Sequence, residues 1–215
     1  MDFDSYDRIF RTRLLEGARF EGEYGFPAIE RTDSVPQSLV SFGESVSSRK
    51  FDSFVHFFQN DNVFMRVWNN PFRYLPILAK YRGVLAPDFS IMWNYPLFVQ
   101  VESIGRSRMI GSWLQRGGCD VIPTARWGVE ETYDFAFEGI SPGGTVAVGT
   151  LGCTKNREAR EVFTKGLREL LRRVSPSHLL VYGPLNKGMF GSVFESNIPI
   201  THFESQTTLA KRGDR

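Results

Sequence analysis

Asp88 and Arg126 carry the chemistry for which this chain is best equipped. Each follows a short apolar run: Val84, Leu85 and Ala86 lead through Pro87 to Asp88, and Val121 and Ile122 lead on to Arg126, Trp127 and Gly128. Between the runs lies an amphipathic segment, residues 103–115, that Gly117 and Gly118 bring to a stop. Strand, charged loop, helix, glycine stop, strand and charged loop make a βαβ unit, whose two strands run parallel. Parallel neighbours end on the same rim, so the carboxylate and the guanidinium come together. They then form either a structural ion pair or a working one. In the working reading Asp88 is a general base or accepts a sugar hydroxyl, Arg126 binds a carboxylate or phosphate, and Trp127 stacks on a flat group.

The same rule applied to the other apolar runs places Glu44, Asn60, Asp61, Ser90, Thr150 and Tyr182 at or just beyond strand ends. Asp61, Ser90, Thr150 and Tyr182 join Trp127 as the expected substrate-binding set, although Asp61 and Ser90 also suit helix N-caps. GTLGCTKNR, residues 149–157, ends a strand and opens a long helix. That is a setting for anion binding by backbone N–H groups and the helix dipole. It matches neither the P-loop nor the dinucleotide fingerprint, and a plain tight turn is the stronger reading. Cys153 sits near that helix start with no histidine close in sequence to serve it. Cys119, Cys153, His56, His178 and His202 lack zinc-site spacing, so neither a metal nor a cofactor is expected. His56, inside the apolar run FVHFF, reads as a core histidine.

The elements that must position these groups can be followed along the chain. SLVSF (38–42), FVHFF (54–58), the two runs of the opening unit, TVAV (145–148), HLLVYG (178–183) and IPITHF (198–203) are strand candidates. Helical stretches are expected over 63–68, around Pro76, over 103–115 and over 129–137. The clearest spans 157–174, where Ala159, Val162, Phe163, Leu167, Leu170, Leu171 and Val174 recur at three- and four-residue steps. NKGMFGS (186–192) reads as a loop. Strands separated by helices pair in parallel, which makes this an α/β chain of repeated β-α units with mainly parallel strands. A compact or incomplete β/α barrel is the expected architecture, with an open doubly wound sheet as the alternative. Both place ligands at the carboxyl ends of the strands.

The 215 residues are read as an N-terminal arm (1–36), a single α/β domain (37–204) and a flexible tail (205–215). Ser5 is the expected N-cap of a short helix in the arm, and Phe20, Tyr24 and Phe26 make wrapping over the domain its expected role. No apolar run approaches the length of a membrane span, and the acidic and then basic start lacks the apolar centre of a signal peptide. A cytoplasmic protein is expected, with no membrane partner and no indication of oligomeric state. The formal charge of +2 argues weakly for polyanions in general. The alternative nucleic-acid surface would use Arg106, Arg108 and Arg116 together with the arginines of the long helix, among which Glu158, Glu161 and Glu169 interleave.

Four stretches carry a further signal: VHFFQNDNVFMRVWNNP, GVLAPDFSIMWNYPLFVQ, RSRMIGSWLQRGGCDVIPTARWG and GTLGC. In that order they resemble a family of uncharacterised proteins from bacteria, their phages and mobile elements, in which PDFS and VIP..RW patterns recur. The resemblance covers roughly residues 36–183 and implies a phage or mobile-element setting without supplying an activity. The expected function is therefore a pocket that binds or processes a nucleotide-like or phosphorylated small molecule. The alternatives are a nucleic-acid-associated replication, packaging or host-takeover accessory protein, and a non-catalytic interaction protein.

Overall fold

The structure is a computed structural model that describes residues 7–92 and 94–213. The expected N-cap Ser5 lies outside the described residues. The chain opens with α1 (Asp7–Phe10) and an antiparallel pair, β1 (Phe20–Glu21) and β2 (Phe26–Pro27). There follow β3 (Leu39–Ser41), α2 (Phe42–Ser45), β4 (Phe54–His56), α3 (Asp61–Asn69), α4 (Pro71–Leu78), β5 (Gly83–Leu85), α5 (Leu97–Arg116) and β6 (Val121–Ile122). The second half holds α6 (Tyr133–Ala136), β7 (Thr145–Gly149), α7 (Arg157–Val174), β8 (His178–Tyr182), α8 (Gly191–Glu195), β9 (Ile200–Phe203) and α9 (Gln206–Arg212).

Every ladder from β3 onward is parallel and follows chain order. One sheet runs β3-β4-β5-β6 and the other β7-β8-β9. A parallel bridge between Thr124 and Ala147 joins them. Because side chains alternate along a strand, Val55, Val84 and Val121 pack outward among α3, α4 and α5, while Val146, Val148, Leu179 and Val181 pack against α7. The opposite faces of both sheets contribute to one shared inner layer of Phe54, Phe58, Leu85, Ile122, Ala147, Leu180 and Tyr182. The repeated β-α architecture is thus present, but no pairing joins β3 to β9 among the described residues. The strands do not close into a barrel.

Helix α5 starts at Leu97, a turn and a half before the sequence-predicted residue 103, and it is buried on more than one side. The arm explains why. Phe26 packs on Gly105, and Ile29 packs where a side chain on Gly111 would have to go, since a Cβ there would meet Ile29 Cδ1 at 2.5 Å. Small residues on the outer face of α5 let this segment lie flat, with Phe26 buried while Phe20 and Tyr24 stay exposed. Arg108 is enclosed by this covering, with no exposed surface. Its Nε, Nη1 and Nη2 donate to the carbonyls of Glu138 (2.8 Å), Thr124 (3.1 Å) and Ala136 (2.8 Å). Burial pushes its pKa down to about 9, which leaves it charged at neutral pH.

Two further departures from the sequence reading have local causes. Residues 186–192, expected as a loop, contain a 3-10 turn capped by Asn186 and the start of α8, with Met189, Phe190 and, just beyond, Val193 buried against α7. The expected tail is helical over Gln206–Arg212, because Ser205 caps the amide of Thr208 and Gln206 binds back to the fold.

Two measurements test this packing. Arg108→Met would leave three enclosed carbonyls without donors and should cost about 3 kcal/mol or more in urea unfolding, whereas Arg106→Ala should cost less than about 1 kcal/mol. His56 lies in the inner layer, where Nδ1 accepts the amide of Phe58 at 3.2 Å and burial pushes its pKa down to about 4, opposed by Glu44. The unfolded chain takes up that proton near 6.5, so stability is full above pH 6.5 and falls as pH drops toward 4. The loss is at most about 3 kcal/mol. His56→Gln should flatten that slope relative to the parent chain when unfolding free energies are compared across the window.

Candidate functional site

Asp88 and Arg126 stand together where β5 and β6 end. The guanidinium donates from Nε to Asp88 Oδ1 at 3.0 Å and from Nη2 to Oδ2 at 2.6 Å, a bidentate arrangement. The Asp88 side chain is only 3% exposed, while that of Arg126 is 25% exposed, and Nη1 has no protein partner among the described residues. Room for the carboxylate comes partly from Gly149 at the end of β7, whose missing Cβ would lie 3.5 Å from Asp88 Oδ2 and 2.8 Å from Phe58. Burial raises the Asp88 pKa, with Arg126 pulling it back and the Asp61 charge adding to the rise. Burial also works against the Arg126 charge, but Asp88 outweighs it and the net direction is upward.

The other expected site residues divide by surroundings. Asp61 is the first residue of α3, after Asn60, which is the actual N-cap and accepts the amide of Asn62 at 3.0 Å. Its carboxylate instead accepts the Ser90 amide (3.0 Å) and hydroxyl (2.9 Å), which pins the chain leaving β5. Trp127 is 8% exposed and sits against Phe137 and Phe163. It packs so tightly on Gly166 of α7 that a Cβ there would lie 2.1 Å from the indole. Thr150 is fully buried and donates to the carbonyls of Tyr182 (3.2 Å) and Pro184 (2.9 Å). Tyr182 stacks on Phe58 with ring centroids 5.0 Å apart, and its hydroxyl accepts the amide of Gln206. Glu44 completes a capping box with Ser41 and accepts the Gln206 side chain at 2.7 Å.

Beside the ion pair lies a cleft of about 440 Å³. Its floor is Arg126 with Ser90 and Trp127. One wall is Ile91, Met92 and Val129, and the other is the loop 151–156 with the first turns of α7. Lys155 and Asn156 line it on the loop side, and Val162 and Phe163 supply apolar surface. Asp88, Asp61, Thr150 and Tyr182 do not line it. Lys155, Asn156 and Val162 escaped the sequence reading, although the strand-turn-helix character of residues 149–157 was the signal that could have found them. Cys153 lines the cleft as well, with its thiol pKa raised by burial against the pull of Arg126.

The α5 arginines of the alternative nucleic-acid set do not share one exposed face: Arg116 is exposed, Arg106 is half-buried and Arg108 is enclosed. Arg108 is enclosed and committed to three carbonyls. Arg116 donates to Ser112 Oγ at 2.6 Å and to the carbonyl of Leu14. Arg106 pairs with Glu102 at 2.6 Å and lies over the Trp68 ring at 5.0 Å.

The pair at the base of the cleft has a pH signature. Arg126→Ala would strand the Asp88 carboxylate in the interior and should destabilise the protein by about 3 kcal/mol at pH 7. The folded pKa of Asp88, already raised, would rise further, so the folded state binds the proton more readily than the unfolded chain. The loss should therefore shrink as pH falls from 7 toward 4. Adding Asp88→Asn should restore most of the stability at pH 7. Urea unfolding at both pH values checks this, and a pH-independent loss would contradict it.

Comparison with known proteins places this geometry in a family. The family model described as "Domain of unknown function (DUF4417)" matches residues 18–203. The chain is 38% identical over 165 residues to the Gene 1 protein of Mycobacterium phage L5, a match covering 75% of this chain and 72% of that protein. It is 36% identical over 166 residues to the Gene 1 protein of Mycobacterium phage D29, covering 75% of this chain and 61% of that one. No solved structure matches the chain. Among the described residues, no helix is long and apolar enough to cross a membrane. The chain belongs to the DUF4417 family, an unknown-function family with phage members, as its motifs suggested.

Proposed function

We propose that the cleft binds a small anionic molecule, with a phosphorylated or nucleotide-like compound as the best fit. The observation that carries this reading is the anchoring of Arg126. Asp88 takes Nε and Nη2, which fixes the plane of the guanidinium and leaves Nη1 unpaired beside the cleft. An arginine held in this way meets an anion at little cost in side-chain entropy. Lys155 adds a second cation, and the amino-terminal end of α7 adds the positive end of a helix dipole. Ile91, Met92, Val162 and Phe163 offer apolar surface to the rest of the ligand.

In this reading Asp88 positions Arg126 and does not act as a general base, since both carboxylate oxygens are engaged and the side chain does not line the cleft. Trp127 holds α7 in place, with most of its surface taken up by Gly166, Phe137 and Phe163. The reading stops at binding because burial raises the Cys153 thiol pKa and so works against a nucleophilic thiolate. The phage relatives suggest that such binding serves a phage or mobile-element programme inside the host cell.

A thermal-shift screen of nucleoside phosphates and sugar phosphates, followed by calorimetry on hits, tests the proposal. Arg126→Ala/Asp88→Asn should keep the fold and weaken a hit at least tenfold, and Lys155→Ala should weaken it several-fold. Cys153→Ala should leave affinity unchanged. A hit whose affinity ignores Arg126, or a panel with no hits, would refute the reading.

A further inference from the structure

Helix α7 separates the cleft from a second surface. Its outward side, with the turn at Asn186, Gly188 and Met189, forms a shallow groove of about 430 Å³ lined by Arg157, Arg160, Thr164, Lys165 and Arg168, with Glu161 as the single carboxylate. We propose that this groove contacts the phosphate backbone of a nucleic-acid duplex.

Charge placement favours an extended polyanion. In sequence the acidic residues of α7 interleave with its basic ones, but the structure sends most of them elsewhere. Glu169 turns to Arg172 (2.8 Å) and Arg173 (3.1 Å), and Glu158 lines the cleft on the other side of the helix. Glu161 is taken by Arg157 at 2.7 Å. Arg160, Lys165 and Arg168 form no salt bridge among the described residues. All three line the groove side of an 18-residue helix, and Arg160 to Arg168 covers about 12 Å along its axis at 1.5 Å per residue. That row is longer than a single phosphate group and suits successive phosphates.

The neutral groups point the same way. Thr164 uses its hydroxyl hydrogen on the Arg160 carbonyl at 2.8 Å, and Asn186 uses Oδ1 on the Gly188 amide at 3.0 Å, which leaves an acceptor and an NH2 donor facing the groove. An amide donor such as the Asn186 NH2 beside arginine and lysine is a group that positions a nucleic-acid backbone. The groove lining has no aromatic residue. It therefore lacks the stacking platform that single strands use.

Fluorescence anisotropy with labelled 20-base-pair DNA and RNA duplexes tests the inference on the full chain. The expected result is sequence-independent binding that weakens with salt, with log K against log[salt] falling at about 0.9 per neutralised phosphate, or roughly 3 for Arg160, Lys165 and Arg168 together. Arg160→Ala/Lys165→Ala/Arg168→Ala should reduce affinity at least tenfold at low salt and bring the slope close to zero. Arg49→Ala/Lys50→Ala/Lys80→Ala, which removes equal charge from exposed positions elsewhere, should change neither. Preference for one duplex identifies the type of nucleic acid. Absence of duplex binding, equal loss in both triple variants, or binding confined to single strands would overturn the proposal. Ligand binding at Arg126 should be unaffected by Lys165→Ala/Arg168→Ala, which leaves the Arg160 contact with the Thr154 carbonyl of the cleft loop in place, so this inference and the cleft reading fail separately.

Discussion

The two parallel sheets are held in register by one short seam. Thr124 faces Ala147, the Ala125 amide donates to the Ala147 carbonyl at 2.8 Å, and the Ala147 amide donates to the Pro123 carbonyl at 2.9 Å. Behind the seam, Arg108 holds the carbonyls of Thr124, Ala136 and Glu138 with a rigid fork of donors. Hydrogen bonds from a cation are about twice as strong as neutral ones. A strand as short as β6, only Val121–Ile122, supplies few ladder bonds of its own. The buried guanidinium thus does in the crossover what a longer ladder would otherwise do. Asp88 comes from one sheet while the loop 151–156 and α7 follow the other, so the cleft has a defined width only because the seam is fixed.

The electrostatics of the site follow from unequal access to water. Two charges meet at the strand ends, but one is sealed and the other is open at a single edge. A sealed carboxylate is costly unless it is paired in good geometry, and its bidentate contact with Arg126 meets that condition. The arginine is correspondingly immobilised. Asp61 extends the pattern by using its carboxylate on Ser90, so the chain leaving β5 is pinned at the edge of the same cleft.

Much of this was legible in the chain itself because the signals were local. The helix over 157–174 could be read to the residue and the strand HLLVYG to within one, since a strong apolar period and a Pro176 boundary mark them. The meeting of Asp88 and Arg126 followed from parallel pairing alone. The misread features depend on what covers an element. Nothing in RSRMIGSW announces that the arm will lie over Gly105 and Gly111 and enclose Arg108, because that contact joins residues some eighty positions apart. Tyr182 and Thr150 were rightly placed at strand ends, but a strand end may face the inner layer as easily as a cleft, and sheet curvature decides between them. Lys155 and Val162 were passed over because a loop lysine and a helix valine acquire meaning only once α7 is seated on Trp127.

The docking of α9 has a practical side. Gln206 reaches both the Tyr182 hydroxyl and Glu44, which sit at the carboxyl ends of their strands. At the opposite end, Arg11 donates to the carbonyl of Asn69, where α3 terminates after running away from that mouth. An affinity handle or surface tether fused beyond α9 would crowd the strand-end mouth, whereas one joined ahead of α1 would leave it clear for ligand screening.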